Sequence, residues 1–448
     1  MNDLFHIGQT GLSAYKTALS AIGDNVANAE TPGYSRRSVH MKQLNVFSAR
    51  SVTYREESLF AGVEAFSVER AWDAFRAADA RLAASSAGSA ATRKQWLTSL
   101  ETALDDGPAG IGQTITGFFN AAQTLSATPR DIPSRVAMLA KLDEFTMAVR
   151  RTSDGIDRLS DSVTTAAQGE VDALNLDIQA LAKVNSALRQ STPGNNARAA
   201  LEDQRDSLID SIATRIDVSV AVDETGAATL TLARASGVTL LDPAFASVVG
   251  VVPALDGRLS LELYANGTTV PLPATGGTLA GLTEVAANLA DRRNELTSMV
   301  TDFMNAINTW SQAGLDRAGN PGAPMLTMAA GLQSLTLVTT DPAAIAAASA
   351  GAENGNLLTL DTLRGVQGIE QRWTAMVTSH AHILSATNAE DKAATNRRDN
   401  AYAALDEVTG VDPDREAAEL MRYQKAYEGA ARIIQVARET VDSILNLF

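Results

Sequence analysis

The sequence predicts a mainly α fold with a β-rich insertion, and three observations carry that reading. Apolar and small residues recur at alternating spacings of three and four at both ends: Phe5, Gly8, Leu12, Tyr15, Leu19, Ile22 and Val26, then Leu420, Tyr423, Tyr427, Ala430, Ile434, Ala437, Val441, Ile444 and Phe448. Long stretches between the ends keep a helical period. Only residues 215–280 change to period two, with turn dipeptides between short runs. The expected architecture has three parts. A discontinuous helical terminal coiled-coil domain takes residues 1–34 and 414–448. A long-helix bundle body with short extended segments takes 35–214 and 281–413, and a small β-rich outer domain takes 215–280.

Taken in order, the first helix runs to Thr31-Pro32-Gly33, where proline stops it and glycine permits a turn. A stretch from Ser35 to Val68 has β-branched residues and no helical period, so it is extended. Helix is expected from about Trp72 to Leu104, ending at Asp105-Asp106-Gly107-Pro108, and again from Ile111 to Ser126. After Pro133 the longest run follows, with Leu139, Leu142, Phe145, Val149, Ile156, Val163, Val171, Leu174, Ile178, Leu181 and Leu188 on one drifting face. Ser191-Thr192-Pro193-Gly194-Asn195 breaks it, and Ala199–Ala213 forms the return helix.

From Asp217 to Val222 and from Ala228 to Leu232 the pattern alternates around Asp223-Glu224-Thr225-Gly226, which predicts a β-hairpin. Strand-like runs continue to Leu272. Helix resumes through Leu282, Leu289, Leu296, Phe303 and Trp310. A Gly- and Pro-rich loop and an irregular section lead to two predicted helices, about Leu363–Ala386 and Asn388–Leu405, before the final one.

Composition narrows the function. The chain has 448 residues, 45% hydrophobic and only 5% aromatic, with a net charge of −15. No basic stripe is available to displace counterions from phosphates, so no nucleic-acid partner is expected. No segment is long and apolar enough for membrane insertion. The absence of cysteine excludes disulfides, thiolate metal sites and cysteine nucleophiles. The N-terminus lacks the basic, apolar and small-residue parts of a secretory signal peptide.

Catalytic, cofactor-binding and metal sites are all expected to be none. His380 and His382 stand at i, i+2 and point to different sides of a helix, a poor metal pair and a solvated surface feature. Gly276–Gly281 is followed by Leu282-Thr283 rather than Lys-Ser/Thr, so it is no phosphate loop. Asp316 and Asn320 lack the remaining ligands of a calcium loop.

Energetics point to the chain ends as an assembly surface. A buried large apolar side chain stabilises by roughly 1.5–3 kcal/mol, while fixing one residue's backbone costs about 1–2 kcal/mol. A lone terminal helix with one apolar seam is therefore marginal, and the ends are expected to gain order on packing into an assembly. At the corner after the first helix, Asn25 and Asn28 supply hydrogen bonds, Thr31-Pro32 an extended exit, Gly33 a positive φ and Tyr34 a contact face.

These residues also carry a resemblance. Asn25-Val26-Ala27-Asn28-Ala29-Glu30-Thr31-Pro32-Gly33-Tyr34-Ser35-Arg36, Glu416-Ala417-Ala418-Glu419-Leu420-Met421-Arg422-Tyr423-Gln424, and the closing Ser443-Ile444-Leu445-Asn446-Leu447 resemble the axial proteins of the bacterial flagellum. Tyr34-Ser35-Arg36 and Arg422-Tyr423-Gln424 point to the hook-associated, junction-forming family. Leu201-Glu202-Asp203-Gln204-Arg205-Asp206 and Gly276–Leu282 resemble its middle motifs.

The resemblance implies a structural, motility-related subunit at the junction between hook and filament. It implies type III export to the extracellular flagellum, with a chaperone on the C-terminal helix. The implied partners are copies of itself in a ring or short tubular zone, the hook protein, and a second junction protein next to the filament. The expected assembly interface comprises Phe5, Leu12, Tyr15, Leu19, Ile22, Asn25, Val26, Asn28, Thr31, Pro32, Gly33, Tyr34, Leu420, Tyr423, Tyr427, Ile434, Val441, Ile444 and Leu447. The competing reading is a secreted adhesin, hydrolase or binding module that carries flagellar-type ends and acts through residues 215–280.

Overall fold

The structure, a computed structural model, describes residues 2–47, 58–235, 237–243, 245–265, 267–273, 276–365 and 368–445. Helix α1 (Asn2–Ala27) leads through a turn to an antiparallel hairpin, β1 (Arg37–Phe47) and β2 (Ser58–Arg70). Four helices follow: α2 (Ala74–Ala103), α3 (Ile111–Ala127), α4 (Ile132–Gln190) and α5 (Asn196–Arg215). Short polar side chains start three of them. Asp73 accepts from the Phe75 and Arg76 amides, Asp131 from Ser134 and Asn195 from Arg198, satisfying amides that the first helical turn leaves open.

At 59 residues, α4 spans about 88 Å at 1.5 Å per residue. Its first half buries Met138, Leu142, Phe145, Val149, Ile156 and Val163 in a helical core. There Phe118 and Phe119 of α3, Phe145, and Phe303 of α6 (Gly277–Ala313) meet edge-on, with centroids from 5.2 Å. Its second half buries Val171, Leu174, Ile178 and Leu181 with α5 and the sheets.

Two three-stranded antiparallel sheets cover that end. One is β3 (Val218–Val222), β4 (Ala228–Leu232) and β5 (Thr239–Leu241); the other is β6 (Val248–Pro253), β7 (Leu259–Ala265) and β8 (Thr268–Leu272). Asn185 and Asn175 on α4 each hold a strand by a two-bond amide bridge. Asn185 pairs with the amide and carbonyl of Ala228, Asn175 with those of Val249, all at 2.8–2.9 Å. The side chains stand in for a strand neighbour and satisfy backbone groups that burial would otherwise leave unpaired.

After α6 come β9 (Leu326–Thr327), β10 (Thr336–Leu337) and the short α7 (Gly355–Thr359). Two expectations need correction here. The two helices predicted between Leu363 and Leu405 are one, α8 (Ile369–Thr409), and Leu363 lies in a preceding 3-10 turn. Residues 369–409 contain neither Gly nor Pro, so nothing interrupts the backbone ladder near Ala386. His380 is not solvated: it is 3% exposed, and its Nε2 is buried without a hydrogen-bond partner. Burial pushes its pKa down, with the Leu97 backbone pulling the other way. His382 is exposed. The chain closes with α9 (Pro413–Leu445), started by Asp412, whose side chain accepts from the Asp414 amide, with Pro413 in the first turn.

Candidate assembly interface

Helices α1 and α9 lie antiparallel. Small residues let the backbones approach: a Cβ on Gly8 would sit 2.5 Å from Ile434 Cγ1, and one on Gly11 would sit 3.3 Å from the Ala430 Cβ. Further along, the rings of Tyr15 and Tyr423 stand 6.3 Å apart. The hairpin covers another side of α1, with Gly62 of β2 against Ile7 and Thr10. Gly8, Gly11, Ala14, Ala18 and Ala21 are the buried small residues of α1, and close contact through such side chains shortens the interaxial distance.

Of the expected interface residues, Ile22 and Asn25 are buried. Phe5, Leu12, Tyr15, Leu19, Asn28, Tyr34, Leu420, Tyr423, Ile434 and Val441 are half-buried, while Val26, Thr31, Pro32, Gly33 and Tyr427 are exposed. The Ile444 side chain and Leu447 lie outside the described residues, as does Phe448. The pair leaves apolar surface uncovered on α9, where Met421, Ile433 and Val436 are 58%, 38% and 56% exposed.

The corner is organised by Asn25. Its Nδ2 donates to the Arg37 carbonyl at 2.8 Å and to Glu416 Oε2 at 3.0 Å. Its Oδ1 accepts from Tyr34 Oη at 2.8 Å and from the Arg37 amide at 2.9 Å. One buried amide thus ties the end of α1, the corner, the root of β1 and the first turn of α9. Burial pushes the Tyr34 hydroxyl up to about 12, with the Arg37 guanidinium 4.8 Å from its ring pulling the other way. Gly33 has φ of 78°, a conformation that suits glycine. Gly33→Val is expected to leave far-UV helicity unchanged and to reduce incorporation into assembled structures, measured by the bound fraction against wild type.

A second cluster lies behind the corner and was not legible in the sequence. Arg37 donates to Asn196 at 2.6 Å and to Asp203 at 3.0 Å. Arg70 reaches the other Asp203 oxygen at 2.9 Å and also pairs with Asp206. Arg81 bridges Asp206 at 3.2 Å and Asp210 at 2.6 Å, while Arg205 pairs with Asp206 at 2.9 Å. The Trp72 ring lies 4.4 Å from the Arg70 guanidinium and 5.7 Å from that of Arg81. Burial alone would raise the Asp206 pKa, but Arg205 and Arg70 outweigh it and hold the carboxyl below its ordinary 3.8; at Asp210 burial wins over Arg81 and the pKa is raised. The signal available was the spacing of Asp203, Asp206 and Asp210, i, i+3, i+7 on one face of α5. Such a stripe of like charge calls for cations from elsewhere.

Among the described residues, no group of three or more His, Asp or Glu is placed to hold a metal ion, and no helix is long and apolar enough to cross a membrane.

Residues 97–326, just over half of the chain, match the protein-family model described as the flagellar hook-associated protein FlgK helical domain. The chain belongs to the flagellar hook-associated protein FlgK family. Its ends match two further flagellar families: residues 5–34 the flagella basal body rod protein, and residues 404–447 the flagellar basal body rod FlgEFG protein C-terminal region.

Flagellar hook-associated protein 1 of Bacillus subtilis (strain 168) is 25% identical over 491 aligned positions, which cover 97% of this chain and 96% of that protein. The Escherichia coli (strain K12) protein of the same name is 26% identical over 332 positions, covering 72% of this chain but 59% of its own length. Among solved structures, the flagellar hook junction protein FlgK from Burkholderia pseudomallei superposes with a TM-score of 0.52 at 21% identity. The match covers 56% of this chain and 47% of that one, and it is a likeness of fold.

Proposed function

We propose that this FlgK-family chain is a structural subunit forming the junction between flagellar hook and filament, exported unfolded and assembled through its terminal helices. The observation that carries the reading is the α1–α9 pair, with small residues holding its inner face and Met421, Ile433 and Val436 uncovered on α9. Large apolar side chains left in water on a helix favour a partner surface. Residues 1–34 with 414–448 act as the assembly unit, joined by the β1–β2 hairpin that packs on α1; the rest of 35–214 with 281–413 acts as the body, and 215–280 as the outer part. The partners are further copies in a ring or short tubular zone, the hook protein, and a second junction protein next to the filament. Before export, a chaperone covers the C-terminal helix.

The test is deletion of the encoding gene and complementation with the full chain or with a version truncated before Leu420. The reading expects hooks without filaments, filament subunits shed into the medium, and rescue by the full chain alone. Normal filaments in the deletion strain would refute it and favour a secreted binding module acting through residues 215–280.

A further inference from the structure

Arg37 and Arg70 stand directly opposite each other in the register of the β1–β2 hairpin. Two like charges in facing positions repel and weaken a strand pair. The hairpin does not resolve this itself: the Asp203 carboxylate of α5 does, giving one oxygen to each guanidinium at 3.0 and 2.9 Å. Asn196 takes the remaining Arg37 amine and Asp206 the remaining Arg70 amine. The root of the hairpin thus finds its carboxylate counter-charges on α5, although Arg37 Nε stays buried without a hydrogen-bond partner.

Further hydrogen bonds join the terminal elements to the body. Asn196 donates to Asp24 at 2.9 Å, the Arg36 amide to the Thr409 carbonyl at 2.8 Å, and the Val68 amide to the Gly194 carbonyl at 2.8 Å. Among the described residues, the buried apolar clusters contain no side chain of α1, β1, β2 or α9. Apolar burial resists pulling two surfaces apart roughly in proportion to area. Buried ion pairs act differently, because the cost of desolvating both charges offsets much of their attraction.

We propose that Arg37, Arg70 and Asp203 form an electrostatic latch that sets how the α1–hairpin–α9 unit stands on the body, and that opening it lets the unit pivot while the body stays folded. The latch is also the middle of a continuous polar path. Glu416 of α9 bonds Asn25, Asn25 bonds the Arg37 backbone, and Arg37 bonds Asp203, so a displacement of α9 in an assembly reaches α5 and the sheets it carries. The pivot is a rigid-body change about a few residues at element ends. It stands apart from the junction reading, because every readout below is on the isolated full chain.

The absence of cysteine allows site-specific labelling without removing native thiols. Spin labels on Ser13→Cys of α1 and Gln179→Cys of α4, both exposed, report the distance between unit and body by pulsed electron resonance. The latch predicts one narrow distance distribution in the otherwise unchanged chain. Asp203→Asn and Arg37→Gln should each abolish that single maximum and spread the distances. The Arg37→Gln variant should keep the far-UV helicity and the main unfolding midpoint. An unchanged narrow distribution in Arg37→Gln would overturn the proposal. So would loss of body helicity in that variant, because Arg37 lies outside the body's apolar clusters and a latch cannot carry their fold.

Discussion

Asp206→Ala is expected to destabilise the body by about 3–5 kcal/mol, the range for removing one partner of a buried ion pair. Arg70, Arg81 and Arg205 all place a guanidinium nitrogen on this carboxylate, and their side chains are only 5–7% exposed. Without it, Arg205 keeps the Gly226 carbonyl, Arg70 keeps Asp203 and Arg81 keeps Asp210, yet three buried cations share too little negative charge. The effect should depend on pH with a definite sign. The folded-state pKa of Asp206 lies below its ordinary 3.8. Its contribution is therefore fully present above the unfolded value and is lost as pH falls through the lower folded one. Asp210, raised by burial against the opposing pull of Arg81, works in the opposite sense, because the folded state takes up that proton more readily. Urea midpoints from neutral pH downward should show the gap between wild type and Asp206→Ala narrowing below about pH 4. A gap that stays constant with acidification would contradict the assignment.

Asn25→Leu is expected to release the terminal pair from its corner. The Arg37 amide, the Tyr34 hydroxyl and the Glu416 carboxylate each lose a partner, and each buried polar group left unpaired costs about 1–3 kcal/mol. Glu416 is 2% exposed, with Arg36 at 3.9 Å as its remaining cation. Amide hydrogen exchange should show α1 and the first turns of α9 losing protection while α4 keeps it. The variant should also fail to restore filaments in a deletion strain. Protection unchanged in α1 would mean that the corner is held by something other than Asn25.

Much of this architecture could be read from local pattern. Long amphipathic runs marked α4 and α6, because a helix that buries one stripe writes its period into the sequence, and turn residues marked the limits of α2, α3 and α5. The turn at Thr31-Pro32-Gly33 and the hairpin at Asp223–Gly226 followed from residues whose backbone preferences are strong. Three features escaped for one reason, that each depends on partners distant in sequence. Arg37, Arg70 and Arg81 carry no mark that separates them from solvated arginines until α5 places Asp203, Asp206 and Asp210 against them. His380 is buried because α8 packs on α2, which the pair spacing of two histidines cannot show. The seam pattern includes Gly8 but passes over Gly11, Ala14, Ala18 and Ala21, which are more deeply buried than its Leu12 and Leu19. Close helix contact selects for small residues, and hydrophobicity alone ranks them low.

The central claim is that this chain occupies the boundary between hook and filament. Immunogold electron microscopy of intact flagella, with antibody raised against residues 215–280, tests it most directly. The account predicts gold confined to a short zone where the curved hook meets the filament. Gold along the filament or over the cell surface, with none at that boundary, would contradict it.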